Sequence, residues 1–498
     1  MTLSAMLPLL VLGSSLVPGL VIFGLPDRSR MLRSALNIGG AVFKLVLVTW
    51  MIWKAAGGEY FEFSVALLPG MDFVLRSGPL ALFFVGLSAL LWLVTTIYAV
   101  GYLEDSPHRS RFFGFFSICV TATVGAALAG NLLTFLVFYE MLTLSTYPLI
   151  VHRETDEARR AGRVYLAYTL AGGTLVTIGA VWLYTVTGTL EFAHGGIVAP
   201  FVDAEARTLG AIFVVLVAGM GVKAALVPLH GWLPRAMIAP VPVSALLHAV
   251  AVVKIGAFGL MRIVFSIYGI DVATDLGLAQ GLAAVAAFTI LYGSVRALAQ
   301  SNLKRLLAYS TVSQLSFIAL GITLGSPLAA VGGIVHLVHQ GMMKITLFFA
   351  AGNLAETLGI HEIRDMRGVG RRMPWTMAAF TLCAFGMIGV PPTAGFITKW
   401  TIGLGAMDAG ATWAVWLLVA SSVLNALYFL PILYSAWFEA PPESWPAERI
   451  FPRAETSLVL LLPTLFTAAV ALAVGLFASA PFSPLEWARL VATRQYGP

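Results

Sequence analysis

Charge is what this sequence has least of. Of its 498 residues, 11% are Asp, Glu, Lys or Arg, less than half the share of about 25% that soluble domains carry. Hydrophobic residues make up 59% and the mean hydropathy is +0.89, more apolar surface than a soluble core can hide. Lipid is therefore the solvent for most of the chain. Cysteine is nearly absent. Cys119 and Cys383 stand in separate apolar runs, which excludes a CxxC metal site or an iron–sulfur cluster and argues against a disulfide. There is no phosphate loop, no GxGxxG after a strand, no HExxH and no Ser/His/Asp set. No cofactor and no covalent chemistry of the chain's own are expected. The first charge is Asp27, so the apolar run 3–25 lacks the basic leader of a cleaved signal and reads as a span. The net charge of +6 is scattered over short loops, not gathered in the patch that nucleic acid requires.

What is present is a series of long apolar runs. Fourteen read as transmembrane helices: 3–25, 31–53, 79–103, 112–130, 132–151, 164–187, 208–230, 241–265, 277–295, 306–325, 327–352, 374–404, 412–438 and 456–479. Alternating the loops between two sides puts 19 lysines and arginines on one side and 6 on the other. The basic side is expected to be cytoplasmic and both termini outside, as in a multi-pass protein of a bacterial inner membrane. No soluble domain interrupts the pattern. The longest polar connections are 104–111, 152–163, 353–373 and 439–455, and the chain ends about 19 residues after the last span.

Five lysines and one glutamate fall inside spans: Lys44, Lys223, Lys254, Lys344, Lys399 and Glu140. Each lysine near the bilayer centre costs roughly 2.5–3.5 kcal/mol, so such residues must face the bundle interior, pair, or line water. Removing an amine from water favours its neutral form, which brings a buried lysine toward proton exchange near neutral pH. Glu140 is the only charge in Phe135–Ile150 and is expected to sit deep beside a partner; the bland alternative is a helix end reaching the interface. Lys223 precedes Pro228, whose missing donor is expected to free the carbonyl of Ala224. In the twelfth span Pro391 and Pro392 break the helix before Lys399. Broken helices beside buried charge are a transporter device, although a kinked structural helix is the alternative for the first. In the eighth span Ser244 and His248 share a face and Lys254 points elsewhere; His248 is a candidate relay or a packing residue. In the eleventh, His336, Gln340 and Lys344 form a stripe at i, i+4 and i+8 with His339 beside it. Histidine both accepts and donates protons near neutral pH, so His336 and His339 are candidate relays, or else a hydrogen-bonding stripe between helices. No carboxylate or cysteine accompanies them, and a metal site is not expected. Lys44, in an unbroken span, is assigned to packing or snorkelling.

Spans four to eight and nine to thirteen each hold five helices, with a break and a lysine in the fourth. Five is odd, so the two groups are expected to be inverted repeats. The expected layout is 1–110 for the first three helices, 111–265 and 266–438 for the repeats, and 439–498 for the last helix.

The runs Lys223–Ala236, Pro240–Arg262, Asn302–Gln314, His336–Gly352 and Gly389–Trp400 resemble the antiporter-like proton-conducting membrane subunits shared by complex I, membrane-bound hydrogenases and Mrp antiporters. The likeness covers about residues 80 to 440. Ser421–Phe438 looks most like the D subunit of the Mrp-type Na+/H+ antiporters, and the short C-terminus argues against the family members with a long extension. The resemblance implies an all-α membrane fold of about fourteen helices with helices 7 and 12 broken. It implies a coupled pair in Glu140 and Lys223, a bridging lysine in Lys254, a second half entered through Lys344 and the histidines, and a terminal lysine in Lys399. It implies other membrane subunits as partners, with protons and Na+ as cargo. There are two departures from the family: Arg235 stands where an acidic residue usually follows WLP, and Ser301 and Asn302 stand where an aspartate commonly precedes LKR. The expected function is a proton-translocating subunit of a monovalent cation/proton antiporter. A redox-driven complex of hydrogenase or quinone-dehydrogenase type is the alternative, and a purely structural anchor is the third reading.

Overall fold

In lipid every backbone polar group must be paired within the protein, and a run of twenty apolar residues achieves this as a helix. The computed structural model describes residues 3–68, 70–103 and 106–496. The first two residues of the connection 104–111 lie outside the described residues. The long helices are α1 (Leu3–Phe23), α2 (Arg30–Ala56), α3 (Pro79–Tyr102), α4 (Arg109–Leu128), α5 (Leu132–Ile150), α6 (Asp156–Thr187) and α7 (Val202–Lys223). They continue with α8 (Val241–Ala249), α9 (Val252–Arg262), α10 (Leu278–Leu298), α11 (Leu303–Thr323) and α12 (Pro327–Leu358). The last are α13 (Pro374–Ile388), α14 (Ala394–Asp408), α15 (Thr412–Phe438), α16 (Leu458–Leu476) and α17 (Pro484–Tyr496). Among the described residues, twelve helical segments are long and apolar enough to cross a membrane, α8 and α9 counting as one. Adding α7 and the broken pair α13–α14 accounts for the fourteen expected spans. The fold is an all-α membrane bundle.

Polar caps set the helix ends. Asn131 Oδ1 accepts from the Thr134 N–H at 2.8 Å and starts α5. Asn302 Oδ1 accepts from the Arg305 N–H at 3.2 Å and starts α11. Each cap asparagine also donates to a glutamate sixty residues on: Asn131 to Glu191, and Asn302 to Glu362, both at 3.2 Å. The two clasps lie on opposite faces of the bundle.

Loop contacts sort into the same two groups as the count of basic residues. On one face Arg33 donates to Ser110 at 3.0 Å, Arg111 pairs with Glu154 at 2.5 Å and Arg372 pairs with Glu448 at 2.7 Å. On the other, Arg76 reaches Glu191 at 3.4 Å and His194 meets the carbonyl of Arg494. The bundle is built around α12, whose most apolar stretch is buried on every side. It packs against α8, α11, α13, α14, α16 and α17.

Three features differ from the expectation. Residues Glu62–Leu68 and Met71–Arg76 form an antiparallel hairpin, β1–β2. It lies in a short stretch between spans, where alternation carries little weight beside hydropathy. Residues Pro484–Tyr496 form α17, which hangs on the core through Trp487 Nε1 donating to the Pro79 carbonyl at 2.9 Å. The eighth span is not continuous: α8 ends at Ala249 and α9 starts at Val252, between His248 and Lys254. No proline marks that break, and no local pattern of residues announces it.

Candidate functional site

The break in span seven falls earlier than Pro228 predicts. α7 ends at Lys223, and Ala225 takes a positive φ of 56°. The carbonyl that gains a side-chain partner is that of Val222, which accepts from Trp232 Nε1 at 2.7 Å. The expectation for Ala224 is corrected accordingly: the chain has left the helix before the proline can act. Lys223 is wholly buried. Its amine lies 3.3 Å from the centre of the Tyr139 ring and donates to the Tyr139 carbonyl. The Tyr139 hydroxyl in turn donates to the Gly219 carbonyl at 2.9 Å, so α5 holds α7 at its broken end.

Glu140 follows Tyr139 on α5 but is only half-buried. It lies within electrostatic range of Lys223 without forming an ion pair, and its Oε1 is buried with no protein partner. It sits against Gly173 of α6, where a Cβ would collide with the carboxylate. The expectation of a deep, partnered carboxylate is thus corrected. α5 turns Val137 and Leu144 outward, 45% and 61% exposed, and Glu140 lies at the edge of that outer face.

On the far side of the α7 break stands α9. A Cβ at Gly256 would strike the backbone of Lys223 and Ala224, so glycine there lets the two backbones touch, two residues from Lys254. Lys254 is buried and donates to the Leu337 carbonyl of α12 at 2.7 Å. Lys254 lies in electrostatic range of Lys344 and His336. His248 and His336 make no side-chain hydrogen bond and rest on Phe348 and Phe317, at 4.6 and 5.5 Å. Gln340 is unpaired as well. Leaving a buried polar atom unpaired costs about 1–3 kcal/mol, which makes water the natural partner of this stripe. His339 reaches forward instead: its Nδ1 and Thr398 Oγ1 are 3.0 Å apart, next to Lys399.

The second half is joined by a continuous hydrogen-bonded chain. Lys344 Nζ donates to Ser310 Oγ at 2.7 Å. Ser310 Oγ and Tyr428 OH are 2.9 Å apart, and Tyr428 OH donates to Asn425 Oδ1 at 2.7 Å. Asn425 Nδ2 donates to the Met387 carbonyl at 2.8 Å. That carbonyl also accepts from Lys399 Nζ at 3.4 Å, and the Ile388 carbonyl accepts from it at 2.9 Å. Met387 and Ile388 end α13, and the break before α14 leaves their carbonyls free for the amine. Ser422 Oγ completes the cradle at 2.8 Å.

Ser310, Ser422, Asn425, Tyr428 and Tyr139 are absent from the residues that the sequence points to. Serine and tyrosine are common in spans and carry no signal, whereas Asn425 is a lone amide in an apolar run and is legible as an interior residue. Lys44 does not snorkel; it is wholly buried. Arg235, Ser301 and Asn302 line one cavity of about 360 Å³ with Arg153, Lys304 and Glu362, on the face of Arg33, Arg111 and Arg372, which holds most of the arginines and is called the arginine-bearing face.

Residues 129–425 match the family described as NADH:quinone oxidoreductase/Mrp antiporter, transmembrane region. The chain belongs to this family. It is 35% identical over 434 residues to the N subunit of NADH-quinone oxidoreductase of Desulforudis audaxviator, covering 84% of this chain and 85% of that one. It is 27% identical over 448 residues to the Na+/H+ antiporter D subunit of Bacillus subtilis, covering 88% of each. Among solved structures, the Mrp complex from Dietzia sp. DQ12-45-1b contains a chain that superposes with a TM-score of 0.88 at 24% identity, covering 100% of this chain and 98% of that one. In this NADH:quinone oxidoreductase/Mrp family the chain is an antiporter-like proton-conducting subunit of Mrp or complex I type.

Proposed function

We propose that protons move laterally through this subunit between Glu140–Lys223 at one end and Lys399 at the other, and that this movement drives exchange of a monovalent cation, Na+, in a multisubunit antiporter. The observation that carries the reading is the bonded link Lys344–Ser310–Tyr428–Asn425, which meets Lys399 at the Met387 carbonyl; that carbonyl accepts from both sides and relays no proton, so water completes the path there. Lys254 bridges the halves, His248, His336 and His339 serve as relays, and water links the unpaired atoms. The arginine-bearing face is cytoplasmic and both termini lie outside, in a bacterial inner membrane. The matching Asn–Glu clasps on opposite faces support the reading of residues 111–265 and 266–438 as inverted repeats.

Sodium-dependent proton efflux from vesicles holding the complete complex tests this. Lys223→Ala should reduce it by at least about tenfold; unchanged efflux would remove the proposal. A second reading, proton pumping in a redox-driven complex, is favoured by the identity to an NADH-quinone oxidoreductase subunit. Co-purification of a subunit with redox centres, with proton uptake that follows electron transfer and ignores Na+, would select it.

A further inference from the structure

Away from the central row, α2 buries a narrow seam against α1, α3 and α4. From the arginine-bearing face inward the seam reads Arg33, Asn37, Ala41 and Lys44, and then turns apolar with Val48, Met51 and Ala55. The polar part runs from Arg33 to Lys44, about 16 Å of helix, half of a bilayer core of about 30 Å. Its side chains form three hydrogen-bonded groups linked through backbone carbonyls: Asn37 Nδ2 donates to the Arg33 carbonyl at 3.2 Å and Thr121 Oγ1 to the Ser117 carbonyl at 3.0 Å. Arg33 donates to Ser110 Oγ at 3.0 Å beside Asp27, whose carboxylate accepts from the Ser110 N–H at 2.9 Å. Asn37 accepts from Ser117 Oγ at 2.9 Å. One turn deeper on α4, Thr121 Oγ1 is 2.7 Å from Ser15 Oγ, and Ser15 Oγ accepts from Lys44 Nζ at 2.6 Å. Lys44 Nζ lies 4.7 Å from the centre of the Trp92 ring.

Hydroxyls and amides between membrane helices are ordinary packing elements. An amine is not. Lys44 is wholly buried, no carboxylate bonds it, and one of its three donors has a hydrogen-bond partner. An apolar side chain would seal this seam at less cost. A second observation points the same way. Ser88 Oγ, Trp92 Nε1 and Thr96 Oγ1, at i, i+4 and i+8 on α3, are buried without protein partners. They carry polarity past Lys44 along a helix that also packs against α8 and α12.

We propose that the N-terminal helices hold a second proton-uptake branch: a polar half-channel for water and protons, open to the arginine-bearing face and ending on Lys44. The branch rests on the reading of the chain as a proton conductor, but its water access does not. The test uses the assembled complex in vesicles. With Cys119 and Cys383 replaced by alanine, Ser117→Cys should react with Ag+ presented from the arginine-bearing face, and Val48→Cys, in the apolar part of the seam beyond Lys44, should not. Lys44→Met should slow proton transport by about threefold or more at an unchanged subunit content. If Lys44→Met fails to assemble, Ser15→Ala with Thr121→Val should slow it equally. An unreactive Ser117→Cys, or normal transport by the Lys44→Met or the double variant, overturns the branch. Lys223→Ala run in parallel separates the two ideas: if it stops transport while Lys44→Met does not, the central row stands and the branch falls; if neither slows transport, both fall.

Discussion

Lys399 Nζ donates to the carbonyl oxygen of Ile388 at 2.9 Å, so the amine of one half-helix closes the open end of the other. A helix ended in mid-membrane leaves its last carbonyls without intrahelical donors, and in lipid that deficit must be met by the protein. The cation meets the partial negative charge of a helix C-terminus. Break and lysine are therefore one device, and neither is stable there without the other.

The hydroxyl of Tyr428 is the midpoint of the chain between Lys344 and Lys399. Tyr428→Phe removes that oxygen and keeps the ring. Proton transport by the complete complex should fall by about tenfold, with assembly unchanged; a normal rate would mean that protons bypass Tyr428.

Gly173 bears on Glu140 without itself carrying charge. Gly173→Ala puts a methyl group into the space of the carboxylate. Transport should drop as far as in Glu140→Gln, although every titratable group remains. Gly281→Ala, where a Cβ meets nothing within 4 Å, is the control and should transport normally.

Gly256→Ala drives a methyl group into the backbone at Lys223 and Ala224. Overpacking of this kind costs about 1–3 kcal/mol, so the melting temperature in detergent should fall, while Gly281→Ala, in α10, should hold or raise it, since alanine favours a helix over glycine by up to about 1 kcal/mol. Equal melting temperatures would show that α9 can slide away from the break.

His152, in the loop after α5, is held neutral by burial, then by the electrostatics of Arg111, His108 and Arg153, and its pKa is lowered from 6.5 to about 4. The unfolded imidazole takes up a proton near pH 6.5 and the folded one only near pH 4. Stability from this group is full above pH 6.5, declines as the pH falls to 4, and changes no further below. The total is at most about 3 kcal/mol. His152→Gln should flatten the melting temperature between pH 6.5 and pH 4; an unchanged slope would assign the acid sensitivity elsewhere.

Hydropathy makes the spans legible, because lipid imposes one rule on every residue that faces it. The buried lysines are legible for the same reason: charge in an apolar run is costly and so conspicuous. Pro391 and Pro392 announce the break in span twelve. The break between Ala249 and Val252 is invisible, since Val250 and Ala251 stand there in place of any proline or glycine. The depth of Glu140 is misread because a sequence shows how far a residue is along a helix and not which way it turns. The network at Ser310, Asn425 and Tyr428 joins two helices more than a hundred residues apart, a relationship that no local pattern can announce.

α12 is the least apolar of the twelve qualifying segments and the most enclosed. Its neighbours, not lipid, solvate His336, Gln340 and Lys344. During synthesis the segment leaves the ribosome before α13, α14, α16 and α17 exist to cover it. Its stable residence in the bilayer must therefore wait for the C-terminal third of the chain, and truncation after α12 should leave a polar helix with nowhere to settle and mark the fragment for degradation.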